Sequence, residues 1–129
     1  MVVSELFKLL QKANPHQFTD DMLLMWLKEA EKDIDEYLRH NYKEADEYEE
    51  AYAEFDFDTL GLNDSLLIDE PHIYIEWLSH KIDFANGEYE RANNHAAMYN
   101  AFLTGWKERF FRGHTKEVKH APNYIRGLV

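Results

Sequence analysis

The sequence predicts an all-α protein, a small helical bundle with a long C-terminal helix preceded by a long acidic connection. Three observations predict it. From Ile75 onward, apolar or aromatic side chains recur at spacings of three and four through Leu78, Ile82, Ala85, Tyr89, Ala92, Ala96, Tyr99, Leu103, Trp106 and Phe110. That heptad register presents one seam along an amphipathic helix. Leu23, Leu27, Ala30, Ile34 and Leu38 form a second stripe of helical period. Helix-start signals precede both: Thr19 followed by Asp20 and Asp21, and Asp69-Glu70 followed by Pro71, with acid at the positive helix end and proline in the first turn.

Taken in order, Ser4 is placed to cap a first short helix that carries Leu6, Phe7, Leu10 and Ala13 on one side and stops near Asn14-Pro15, because proline disfavours helix in the residue before it. Phe18 can staple onto Leu23 at the start of the second helix. Lys28, Glu29, Glu31, Lys32, Asp33 and Glu36 are expected on that helix's outer face, where attractive and repulsive neighbours largely cancel, so packing must stabilise it. From Tyr42 to Glu70 the periodicity dissolves. Eight acids from Glu44 to Asp58 alternate with Tyr48, Tyr52, Phe55 and Phe57, and turn signals follow at Gly61-Leu62-Asn63-Asp64-Ser65. Such a segment is read as a long connection with a helical piece around Ala45 to Ala53, laid over the core by its aromatics.

The last helix contains Asn86-Gly87, a dipeptide that usually ends a helix. The register argues for continuity, since Ala85, Tyr89 and Ala92 carry the seam across it and Asn86, Asn93 and Asn100 fall seven apart on one flank. The expectation is therefore one helix from Pro71 to Arg112, kinked at Gly87, with two shorter helices as the alternative. Unbroken, its 42 residues would make a rod of ~63 Å. A compact domain of this length has a radius of gyration of only ~14 Å, so the rod would protrude or pack on another chain.

The chain's 129 residues suit one domain, taken as residues 1–112, followed by an extended basic tail over 113–129. There is no Cys, hence no disulfide framework or thiolate chemistry. The start lacks the pattern of a signal peptide and no apolar run nears ~18 residues, so the expected product is cytoplasmic with no membrane partner. Fourteen basic residues against 25 acidic ones give a net charge of -11, which argues against a nucleic-acid surface. Residues 105–129 carry +4 and the remainder -15, a polarity that suits head-to-tail contact between copies or a partner with an acidic patch.

Catalytic signatures are missing. None of the seven His residues stands in a His-Glu-x-x-His pattern, and Glu117 to His120 supplies a single Glu-x-x-His where a di-iron bundle needs two. Asp56, Asp58 and Gly61 start like a calcium loop, but Leu60 and Leu67 occupy positions that require oxygen ligands. No phosphate loop or nucleophile elbow occurs. No cofactor, metal or catalytic residue is therefore expected. The Asn stripe is open to two readings, interface hydrogen bonding or a solvated flank. Trp77, Phe84, Phe102, Trp106, Phe110 and Phe111 exceed what one helix face can hide, which points to a partner chain.

Ile82-Asp83-Phe84, Asn86-Gly87-Glu88, Asn93-Asn94 and Ala97-Met98-Tyr99-Asn100-Ala101, following a Pro71-initiated aromatic run with Tyr74, resemble a family of small helical head-tail connector (adaptor) proteins of tailed bacteriophages and prophages of Gram-positive bacteria. The likeness spans roughly Ser4 to His114 and is specific from Pro71 to Asn100. It implies a virion-assembly subunit in the host cytoplasm and then the virion neck, forming a homo-oligomeric ring between the portal protein and the tail-completion proteins, with no reaction of its own. The family pattern continues differently after Arg112 to His114. Candidate subunit-interface residues are Tyr74, Asn86, Asn93, Asn100, Lys116, Lys119, Tyr124 and Arg126. Rival readings are a helical homodimer serving scaffolding or regulation, and a metal-dependent helical-bundle enzyme.

Overall fold

A computed structural model describes residues 1–42 and 57–113. Among them are four α-helices and no strand: α1 (Val3–Ala13), α2 (Asp20–Tyr42), α3 (Pro71–Ala85) and α4 (Tyr89–Gly113), with a short 3-10 turn at Phe57–Thr59. The all-α expectation holds. The helical piece expected around Ala45 to Ala53 and the tail beyond Gly113 lie outside the described residues.

Helix α1 starts one residue before Ser4, and the rest of the chain caps it. The N–H groups of Val3 and Ser4 donate to the carbonyls of Asp64 and Leu62, both at 2.9 Å, while Met1 O accepts from Leu66 N–H at 3.0 Å. The first amides of a helix have no partner within it, and here the 61–66 loop supplies them. Glu5 also reaches back to Val2 N–H at 3.2 Å. Val3, Leu6, Phe7 and Leu10 are buried, and Asn14 N–H closes the last turn on Leu10 O at 2.8 Å just before Pro15.

Helix α2 begins as its sequence indicates, with Thr19 Oγ1 accepting from Met22 N–H at 3.3 Å. The stripe Leu23, Leu27, Ala30, Ile34 and Leu38 is buried throughout. Phe18 packs edge-on against Trp26, with ring centroids 5.3 Å apart. Glu31 corrects the expectation of a charged outer face, because it is fully buried. Position 31 follows Leu27 by four residues, and the bundle closes over it. Its Oε1 accepts from Tyr74 O–H at 2.6 Å and its Oε2 from Leu67 N–H at 2.9 Å. Burial pushes the Glu31 carboxyl up to about 7, against the lowering effect of those two hydrogen bonds. Glu29 pairs across the interface with Lys81 at 3.0 Å rather than within its own helix.

The expected single helix from Pro71 to Arg112 is instead two helices folded back on each other. Helix α3 ends at Ala85, Gly87 takes φ +78°, and α4 begins at Tyr89. Gly87 N–H donates to Phe84 O at 3.1 Å and Glu88 N–H to Asp83 O at 2.8 Å, the paired bonds of a glycine-terminated helix end. Five pairs fix the antiparallel register. Arg109 meets Glu70 at 2.9 Å, His95 Nδ1 meets Glu76 at 2.7 Å, and His80 Nδ1 lies 2.8 Å from Ala92 O. The Trp77 and Tyr99 rings, and those of His72 and Phe102, stand 4.9 Å apart. The heptad residues therefore face one another across a hairpin. Leu78, Ile82, Ala92, Tyr99, Leu103 and Phe110 are buried, while Ala85 and Tyr89, expected to carry the seam across the joint, are exposed at its tip. Folding back buries in one subunit an apolar seam that a rod would leave open. The longest helix, α4 with 25 residues, spans ~38 Å rather than ~63 Å.

Candidate subunit interface

A buried carboxylate holds the hairpin to the rest of the bundle. Asp83, 2% exposed, has Oδ1 3.5 Å from Asn14 Nδ2 at the end of α1. Its Oδ2 sits 3.3 Å from His95 Nε2 and 3.6 Å from Arg91 Nε without a well-directed hydrogen bond to either. His95 is thus wedged between Glu76 and Asp83. Trp77 Nε1–H donates to Trp26 O at 2.8 Å and Tyr37 O–H to Lys107 O at 3.1 Å, tying α2 to both arms of the hairpin. These contacts orient the outward face of α4.

That face differs in composition from the rest of the surface. Asn93, Asn94, Ala97, Asn100, Ala101 and Thr104 are all exposed and, at helical spacing, share one side of α4. Glu90 and Glu108 bound it, and between them this stripe carries no charge over ~16 Å, in a chain of which 30% of the residues are charged. Short side chains and amides leave it flat enough for another helix to approach closely. At one end, Phe84 and Tyr89 cap the hairpin tip with rings 5.2 Å apart, 57% and 58% exposed. Phe111 is exposed near the other end. Depletion of charge together with exposed aromatics distinguishes the centre of a protein interface from ordinary surface.

The candidate residues named from sequence separate into three groups. Asn93 and Asn100 lie on this uncharged face, and Asn86 is exposed in the turn at the hairpin tip as the last residue of the α3 cap. Tyr74 is fully buried, its hydroxyl held by Glu31 and 3.4 Å from Ile68 N–H, so it belongs to the subunit core and not to a contact surface. Lys116, Lys119, Tyr124 and Arg126 lie outside the described residues. Comparison with protein-family models, curated proteins and solved structures found no match. Sequence reasoning does not single out Ala97, Ala101, Thr104 and Tyr89 as interface residues, whereas Phe84 stands among the surplus aromatics that point to a partner chain. The signal that could find them is the absence of charge at outward α4 positions, and it becomes readable only once the hairpin shows which side is outward.

Of the aromatics expected to exceed one face, Phe110 is buried and Trp77, Phe102 and Trp106 pack partly buried against the core, whereas Phe84 and Phe111 remain exposed. Among the described residues, no three His, Asp or Glu side chains are grouped to hold a metal ion, and no helix is long and apolar enough to cross a membrane.

Proposed function

We propose that this protein is a structural subunit of a phage neck, a head-tail connector that works by binding copies of itself and the portal and tail-completion proteins. The observation that carries the reading is where the connector-like residues fall. Asn86-Gly87-Glu88 builds the hairpin turn, while Phe84, Asn93, Asn94, Ala97, Met98, Asn100 and Ala101 are exposed. Buried residues must be apolar for any function, but an uncharged exposed face in an acidic chain is a feature that contact with a partner explains. A ring requires two different complementary edges on each subunit, since heterologous contacts are the ones that close into rings. The α4 face with the hairpin tip is one edge in this proposal, and the charge-rich remainder supplies the other.

The test is absolute molar mass at several protein concentrations, alone and with a portal protein, should the gene neighbourhood encode one. The connector reading expects a ring, or a stoichiometric complex with the portal. Ala97→Arg combined with Ala101→Arg should abolish that assembly while leaving helical content and melting temperature within error, as both positions are exposed. A protein that stays monomeric with and without the portal overturns the proposal. A concentration-dependent dimer with no affinity for the portal supports the homodimeric scaffold instead.

A further inference from the structure

Asn86 is the one asparagine in the sequence that glycine follows, and it is exposed at the hairpin tip. We infer that Asn86-Gly87 is a self-modification site gated by the fold. It is closed while the joint between α3 and α4 is formed, and opening of the joint lets it convert to aspartate or isoaspartate with loss of ammonia.

The reaction needs only the chain and water. The Gly87 backbone nitrogen gives up its proton and attacks the Asn86 side-chain carbonyl carbon, forming a C–N bond, and the side-chain nitrogen leaves as ammonia. Water then adds to one of the two carbonyls of the resulting five-membered imide. Cleavage of that C–N bond leaves either an α-linked aspartate or a β-linked one. Glycine permits the attack most readily because it has no Cβ to crowd the ring. A Cβ built at Gly87 would meet nothing within 4 Å, so the surroundings leave room for both the ring and the water. Elsewhere the same chemistry is blocked locally. Asn93, Asn94 and Asn100 lie inside α4, where the N–H groups that follow them are committed to helix bonds, and Asn14 precedes Pro15, which has no N–H.

The closed joint prevents the attack in two ways. Ring formation requires the Gly87 nitrogen to eclipse Asn86 Cβ about the Cα–C bond. At ψ 1° it eclipses the Asn86 nitrogen instead, about a third of a turn away from Cβ. The Gly87 N–H also donates to Phe84 O at 3.1 Å, beside the Glu88 N–H to Asp83 O bond at 2.8 Å. Turning ψ far enough to close the ring breaks both bonds and swings the start of α4 away from α3, so the reacting conformation is an opened joint. The rate is then that of a free Asn-Gly pair multiplied by the fraction of joints open. Conversion also weakens the joint that controls it. The new carboxylate stands at the negative C-terminal end of the α3 dipole, close in sequence to Asp83 and Glu88, and the β-linked product adds a backbone carbon to the turn.

The full chain can be tested as it is. The tryptic peptide Ile82–Arg91 contains Asn86 as its only side-chain amide, so replacement of NH₂ by OH is read directly from the peptide's mass. The protein is incubated at one neutral pH and temperature in buffer, in urea below the unfolding transition, and in urea that unfolds it. In the unfolded chain Asn86 should convert ahead of every other asparagine. In buffer its conversion should be at least about tenfold slower, because both cap bonds must break before the ring can close. Below the transition the rate should climb with urea, which favours the opened joint. Equal rates in buffer and in unfolding urea, a rate that stays flat below the transition, or another asparagine converting first in the unfolded chain overturns the inference. The measurement is made on the isolated subunit, so its failure leaves the connector proposal standing, and failure of ring assembly leaves this inference standing.

Discussion

Glu31 makes the stability of this protein depend on pH in an unusual direction. Its carboxylate is fully buried with two hydrogen-bond donors, Tyr74 and Leu67 N–H, and without an ion pair among the described residues. Desolvation raises its pKa from the ordinary 4.5 to about 7. Because the folded value lies above the unfolded one, the native state binds the extra proton between the two. The associated stability is fully present below pH 4.5, declines by at most about 1.4 kcal/mol per pH unit, and is lost once pH exceeds about 7. The total is about 3 kcal/mol, an appreciable part of the 5–15 kcal/mol typical of a domain. Glu31→Gln provides the reference, since its carbonyl can accept from Leu67 N–H while its amide donates to the Tyr74 oxygen, imitating the protonated acid. Urea denaturation of both proteins from pH 4.5 to 8 isolates the effect, as every other titrating group cancels in the difference. The wild type should lose about 3 kcal/mol relative to Glu31→Gln over that range. Parallel stability curves would refute the reasoning, because they would mean that the buried carboxyl titrates as it does in the unfolded chain.

Three further outcomes are expected. His16 is held below its ordinary value by burial, partly offset by Asp20, and its Nδ1 accepts from Phe18 N–H at 3.0 Å; stability should therefore fall as pH drops below 6.5, and His16→Gln should remove that slope from acid-limb denaturation curves. A Cβ added at Gly87 would meet nothing within 4 Å, but the residue sits at φ +78°, so Gly87→Ala should cost about 1 kcal/mol through backbone strain alone, with Gly87→Asn intermediate in thermal melts. Leu78→Ala, at a fully buried position, should cost about 2–5 kcal/mol, whereas Phe84→Ala at the exposed hairpin tip should change stability by less than about 0.5 kcal/mol and act only on assembly.

Much of the secondary structure is legible in the sequence because its causes are local. Thr19 caps α2, Pro71 opens α3 and the stripe from Leu23 to Leu38 is buried, all as spacing and residue chemistry require. The Gly87 joint departs from the continuous helix that the register implies, for an instructive reason. A heptad pattern records only that apolar residues return to one side of a helix, and two antiparallel helices joined by three residues in the matching phase give the same string as one long helix. The local evidence, Asn86-Gly87, points to the turn, and the positive φ and paired cap bonds show that it prevails. Glu31 lies inward against expectation because a charged residue beside the apolar stripe normally faces water, and its partners lie 36 and 43 positions away.

By itself, the sequence determined that this chain is helical, where α2 and α3 begin, and which stripe α2 buries, because capping, proline geometry and side-chain periodicity act within a few residues. The tertiary structure alone decided that Tyr74 and Glu31 close the core together and that the 61–66 loop caps α1. It also decided that the outward side of α4 is an uncharged face ending in Phe84 and Tyr89. Those outcomes depend on which surfaces meet when the hairpin folds back, and a one-dimensional pattern does not record that.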